Sequence, residues 1–198
     1  MAYVTCDVGI SADGYAAGPH QRLDHPLGEG GTERLHRWMF ETPDENRAEL
    51  DAITAADAFI MGRNMFSPGR GEWDLQWQGW WGDDPPYHQP VYVLTHYPRA
   101  DLVMAGGTTF SFVTGGIQEA FDRARESSGD GRISVAGGAA TINQFLTAGL
   151  IDELRLHIAP LTLGAGERVF DGVPALRLEQ MSSRSASLVT HVTYRVLR

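Results

Sequence analysis

Arg132 to Leu146, RISVAGGAATINQFL, is where residue types and spacing come closest to a chemical device. An apolar run, Ile133-Ser134-Val135-Ala136, leads into Gly137-Gly138. Ala139-Ala140-Thr141-Ile142-Asn143-Gln144-Phe145-Leu146 follows, with apolar residues at helical spacing. The run suits a buried strand. A glycine pair between strand and helix lets a second backbone, or a phosphate, approach closely. A helix that starts there aims free N–H groups and the positive end of its dipole at the gap, which suits an anionic ligand. Two glycines are a weaker signal than the three-glycine nucleotide fingerprint, so a plain tight turn stands beside the anion cradle as a reading.

The elements that must position this stretch belong to one domain, residues 1–198. A chain of that length buries enough apolar surface to need no disulfide or metal staple. Its single cysteine, Cys6, lies in an apolar stretch and reads as a core residue; one cysteine builds neither a disulfide framework nor a four-cysteine zinc site. The histidines His20, His25, His36 and His88 are scattered, and no metal is expected. The net charge of −9 argues against nucleic acid and anionic membranes as partners. It leaves room for a phosphorylated small molecule held by one or two arginines and backbone N–H groups. The N-terminal residues lack a basic region followed by an apolar one, and no run is long enough to span a membrane, so a cytoplasmic address is expected.

Tyr3 to Ile10 reads as a first strand and Ser11 to Gly18 as a turn and loop around Asp13-Gly14. Residues 19–31 form a long aperiodic loop. Thr32 to Glu41 is expected as one helix with Leu35, Trp38 and Met39 in a stripe. Glu45 to Ala56 is expected as a second, with Leu50 and Ile53 inward. Asp57 to Gly62 reads as a buried strand and Arg63-Asn64-Met65-Phe66 as a first helical turn. Residues 67–90 hold four of the five tryptophans among Gly, Pro and Asp. They read either as a loop pinned by its aromatics or as an aromatic wall over a flat ligand. Strands are expected at Val91–Thr95, Leu102–Met104 and Thr109–Val113, then a helix from Ile117 to Ser127. Leu150–Pro160 reads as a strand alternating from Leu154. Ala175–Met181 and Ala186–Leu197 close the chain as strands, the last with Leu188, Thr190, Val192, Tyr194 and Val196 on one face. Strands alternating with helices indicate an α/β fold around a central, mostly parallel sheet, with antiparallel C-terminal strands.

Several segments, in order, resemble the dihydrofolate reductase superfamily, and within it the reductase domain of the bifunctional riboflavin-pathway deaminase-reductase. They are Ser11-Ala12-Asp13-Gly14-Tyr15, Phe59 to Phe66, Val93-Leu94-Thr95-His96, Ala136-Gly137-Gly138-Ala139, and Ile151 to Leu154 running into Ala159-Pro160 and Leu163 to Gly166. The resemblance implies NADPH bound across the carboxyl ends of the strands. Carried over by position, Gly62, Arg63, Asn64 and Met65 would hold the pyrophosphate end. Thr95 and His96 would lie near the adenosine and its 2′-phosphate. Gly137, Gly138, Ala139 and Thr141 would bind the pyrophosphate and nicotinamide side, and Ala12 to Tyr15 would line the nicotinamide pocket. The family often has threonine where this chain has Met65; the backbone N–H there can still serve.

The resemblance implies hydride transfer from NADPH to a heterocyclic or phosphosugar substrate, as in reduction of 5-amino-6-(5-phosphoribosylamino)uracil. The partner deaminase chemistry needs a paired Cys-x-x-Cys that this chain lacks. Dihydrofolate reductases carry a carboxylate on the first helix facing the pocket. At about 100° per residue, Glu33 and Glu41 both fall off the Leu35–Trp38–Met39 stripe. Asp13 is the remaining candidate acid, with capping of its own turn as the competing role; Asp13, Tyr15 and Trp38 are the expected substrate pocket. Two alternatives stand beside the reductase: a nucleotide-binding module without catalysis, and a flavin-binding or flavin-reducing protein. The last strands and the apolar 150–163 segment offer a surface for a second copy, so a homodimer is expected.

Overall fold

The computed structural model describes residues 2–198. Its core is a nine-stranded sheet in the order β10-β11-β8-β1-β7-β3-β4-β6-β5. Here β1 is Tyr3–Ser11, β3 Ala58–Gly62, β4 Pro90–Leu94, β5 Leu102–Val103, β6 Thr109–Val113, β7 Arg132–Gly137, β8 Glu153–Ala159, β10 Arg177–Ala186 and β11 Val189–Leu197. A two-stranded ribbon pairs β2 (Tyr15–Ala17) with β9 (Glu167–Arg168). The pairs from β8 through β1, β7, β3 and β4 to β6 are parallel, with Val4 opposite Ile133 and Asp7 opposite Arg155. β11 runs antiparallel to β8 and β10 antiparallel to β11. This is the expected architecture.

The apolar run of β3 explains its central place. Ala58 and Ile60 enter one core with Val4, Cys6 and Val135, while Phe59 and Met61 enter a second with Phe66, Phe110 and Phe112. A strand buried on both faces needs such an unbroken apolar sequence. α4 (Gly116–Ser128) and α5 (Ala139–Thr147) supply Ala120, Ala124, Ile142 and Phe145 to the first core. Cys6 is buried and unpaired, and burial pushes its thiol pKa up.

Three local expectations are corrected. The helix read over Thr32–Glu41 is a 3-10 turn, Thr32–His36, followed by α1, Arg37–Glu41. His36, at φ −115°, breaks it, while Leu35 and Trp38 stay buried. The second helix, α2, is shorter, Arg47–Thr54, and buries none of its residues fully; the buried Asn46 precedes it. β10 runs on to Ala186 because it zips against β11 through a bulge at Met181, and Leu188 falls in the connecting turn. On β11 the buried residues near its start are Val189, His191 and Val192, while Thr190 is exposed, so the expected face is displaced there. His191 points inward because a polar partner awaits it.

Candidate functional site

β7 inserts between β1 and β3, and a cavity of about 780 Å³ opens beyond the carboxyl ends of the parallel strands. Open α/β sheets bind ligands at such a place. Gly62, Leu94, Val113 and Gly137, each closing a strand, all line it.

Gly137 and Gly138 have φ of 146° and 71°, values that L side chains rarely adopt. They turn β7 directly into α5, which has no side-chain cap. Its first N–H groups have no carbonyl one turn back to bond. Gly138, Ala139, Ala140 and Thr141 all line the cavity, so the uncapped end faces it. Gly62 lets β3 pass this end: a Cβ there would lie 2.5 Å from Thr141 Oγ1.

Arg63 begins α3 (Arg63–Phe66) at the same rim. Its guanidinium lies 4.0 Å above the Trp73 ring and 5.1 Å from that of Tyr97, and Nη2 donates to the Glu72 carbonyl at 3.4 Å. Its Nε is buried without a hydrogen-bond partner. Burial, with Arg70 adding repulsion, moves its pKa down, so an anion here would relieve it. Asn64 joins Gln21 and Arg70, the latter by Arg70 Nη1 to Asn64 Oδ1 at 2.6 Å. Met65 Sδ fills the space beside Gly137, 2.9 Å from where a Cβ would be. The buried Thr95 is tied to Tyr97, and the exposed His96 stands on the rim. Arg70 was not singled out in the sequence, where it is one arginine in a glycine-rich loop.

The tryptophan segment is pinned to the body by its aromatics, the first of its two expected readings. Trp77 Nε1 donates to the Phe66 carbonyl at 2.9 Å and Trp73 Nε1 to the Tyr97 carbonyl at 2.7 Å. Trp81 stacks on Phe110. Trp80, 38% exposed, lines the cavity together with Trp81.

Ala12, Asp13 and Tyr15 are not brought to this cavity, which corrects their expected placement. Ala12 N–H donates to the Leu161 carbonyl. Asp13 accepts from Ser11 Oγ at 2.6 Å and from the N–H groups of Leu163 and Gly164. The Ser11 hydroxyl, aided by those two N–H groups, holds its pKa down to about 2, so it is an ionised clamp on the 161–164 loop and no proton donor near neutrality. Tyr15 Oη reaches the Gly164 carbonyl. Trp38 does line the cavity, wedged against the rings of His157 and His191. Glu33 and Glu41 are exposed, and Glu41 pairs with Arg37.

The sequence reading missed Asp7, His36 and His157, which also line the cavity. Asp7 and His157 lie on one face of the β1–β8 pair, beneath Trp38. Burial, with the nearby His157 charge, pushes His36 down to about 4. Asp7 carries no local signal of a buried site, because it alternates with Cys6 and Val8 as a solvent-facing position would.

The family model for the RibD C-terminal domain matches residues 2–192. The uncharacterised protein YyaP of Bacillus subtilis (strain 168) is 24% identical over 203 residues, covering 96% of this chain and 93% of its own. A solved structure of a candidate riboflavin biosynthesis protein from Shewanella sp. PV-4 matches over 100% of both chains, with TM-score 0.68 and 24% identity. The diaminohydroxyphosphoribosylaminopyrimidine deaminase/5-amino-6-(5-phosphoribosylamino)uracil reductase of Thermotoga maritima matches with TM-score 0.62 and 15% identity, over 99% of this chain and 57% of that one.

Proposed function

The chain belongs to the family of RibD C-terminal domains, and from that premise we propose that it is an NADPH-dependent reductase of a heterocyclic or phosphosugar substrate, akin to 5-amino-6-(5-phosphoribosylamino)uracil. One observation carries the reading: the uncapped start of α5 and the unpartnered Arg63 Nε meet at one cavity. Buried donors without acceptors are costly, and a pyrophosphate offers the acceptors they need.

The residues present fit the cofactor. Gly137, Gly138, Ala139 and Thr141 would face its pyrophosphate, with Gly62 making room. Arg63, backed by Asn64 and Met65, would neutralise it. Thr95 and His96, with Arg70 across the rim, would meet the adenosine and a 2′-phosphate, which favours NADPH over NADH. When bound, the dihydronicotinamide supplies the hydride. Trp38, Trp80 and Trp81 would hold a flat substrate and keep water away.

No helix among the described residues is long and apolar enough to cross a membrane; we read the protein as a cytoplasmic enzyme of small molecules, acting as a homodimer. The dimer surface is β10, one of the two sheet edges, with Leu178 and Met181 exposed; β8 is covered by β1 and β11 and offers none. A monomer by light scattering removes the dimer.

The reductase is tested by mixing protein, NADPH and the phosphoribosylaminouracil and following dihydronicotinamide absorbance. Its loss, with a ribityl product by mass, is the expected result. NADPH left intact with this and every related acceptor would overturn the reading.

A further inference from the structure

The polar groups behind Trp38 fix one another's hydrogens from the outside inward. Asn46 Nδ2 donates to the carbonyls of Thr42, at 2.8 Å, and Trp38, at 3.3 Å, so the amide oxygen must face the other way. That oxygen accepts from Arg184 Nη2 at 3.0 Å and meets His191 Nε2 at 2.9 Å, so His191 Nε2 carries a hydrogen. His191 Nδ1 meets His157 Nδ1 at 2.7 Å, a contact that needs a hydrogen on one of the two. Burial, the largest cause, pushes the His191 pKa down to about 4, so near neutrality His191 has only its Nε2 hydrogen and His157 Nδ1 is the donor.

His157 Nε2 then faces Asp7 Oδ1 at 3.5 Å. Both atoms are buried and neither has a hydrogen-bond partner. A neutral imidazole opposite a carboxylate would set two buried lone pairs against each other. One proton, on either atom, removes the conflict. We propose that Asp7 and His157 share one stored proton at the cavity wall, and that this pair is the proton donor of the reduction. The storage stands on the hydrogen-bond network with a buried, neutral His191; the delivery rests on the reductase reading.

Arg155 and Glu153 face the pair from β8, with Arg155 Nη1 3.4 Å from Asp7 Oδ2 and its Nε on Glu153 at 2.6 Å. His36 faces it from the 3-10 turn. Behind His191 stand Glu49 of α2 and Arg184 of β10, paired at 2.8 Å. A second cavity of about 160 Å³ touches Asp7, His157, His191, Glu49 and Arg184. Asp7 and His157 line both cavities, so the pair stands between the large one and a small chamber on its other side.

In the step itself, hydride adds two electrons to the carbon of a substrate C=N or C=O bond, and the dihydronicotinamide is oxidised. The heteroatom gains the proton of the Asp7–His157 pair and becomes N–H or O–H. The pair is left as carboxylate and neutral imidazole, and a proton taken up from bulk solvent by way of the small chamber restores it.

The storage is tested on the free, unmutated protein by NMR at pH 7, reading the Asp7 carboxyl carbon and the His157 ring nitrogens together. A protonated signature at one of the two is expected; an ionised Asp7 beside a neutral His157 would overturn it. The delivery is tested in Asp7→Asn and His157→Gln, with NADPH-induced stabilisation as the control for folding and binding. A fall in turnover of about 100-fold is expected from loss of a general acid, with the control intact and the acid limb of the pH profile changed. Unaltered turnover and profile would overturn the delivery. If the unmutated protein reduces no acceptor, the reductase reading and the delivery fail together, and the NMR result still decides the storage.

Discussion

Thr141 Oγ1 occupies the space that a side chain at position 62 would need: a Cβ on Gly62 would lie 2.5 Å from it. Gly62 has φ −77°, an ordinary value, so its glycine is required by the neighbour and not by the backbone. Gly62→Ala should cost about 1–3 kcal/mol through overpacking. Removing the hydroxyl in Gly62→Ala/Thr141→Ala should recover much of that loss. Chemical denaturation of these two variants and of Thr141→Ala measures the coupling; simple additivity would show that the two residues do not compete for this space.

At Gly137 the constraint is the backbone. With φ 146° and Met65 Sδ 2.9 Å from the Cβ position, Gly137→Ala must strain the turn and shift the start of α5. The expected result is a lower melting temperature and a loss of NADPH affinity of 10-fold or so, roughly 1.4 kcal/mol. Calorimetric titration of the variant checks it, and unchanged affinity would separate the turn from the ligand.

Acid should destabilise the protein through His36. Its pKa is 6.5 when unfolded and about 4 when folded, because burial disfavours the charge. The unfolded chain therefore binds the proton first. This contribution is complete above pH 6.5 and is lost as the pH falls towards 4. Melting curves across that window should slope less in His36→Gln than in the unmutated protein; parallel slopes would remove His36 as the cause.

Arg99 fastens the tryptophan segment. Its Nη2 donates to the Trp77 carbonyl at 2.7 Å and to that of Leu75, and the guanidinium lies 5.0 Å from the Phe112 ring. Arg99→Ala should free residues 72–81 while sparing the sheet. Limited proteolysis should cut there faster, with a red shift of tryptophan emission. Unchanged cleavage would mean that the Trp73 and Trp77 hydrogen bonds hold the segment unaided.

The sheet was legible because its central strands are written plainly. Phe59-Ile60-Met61 and Ile133 to Ala136 are apolar runs closed by glycine, and the Gly137-Gly138 turn announced where a ligand could approach. Eleven of the expected site positions, from Gly62 to Thr141 and including Trp38, do converge on one cavity. The polar side of β1 was not legible. Thr5, Asp7 and Gly9 alternate with apolar residues, as do Glu153, Arg155 and His157 on β8. Period-two alternation reads such a face as solvent-exposed. It is buried because the segment from Thr32 through α2 folds over it, a long-range event with no local signature. Asp13 failed in the opposite way: its local motif suits a pocket acid and a turn clamp alike, and only the 161–164 loop, about 150 residues away, decides.

The central claim, a nicotinamide cofactor seated on α5 and Arg63, is tested most directly by the melting temperature with and without NADPH, in the unmutated protein and in Arg63→Ala. Ligand at about 100 times its Kd adds about 2.7 kcal/mol, or roughly 5–10 °C in a chain of this size. A rise of that order with NADPH, smaller with NADH and absent in Arg63→Ala, is the expected result. No rise with either nucleotide, or an equal rise in Arg63→Ala, would contradict it.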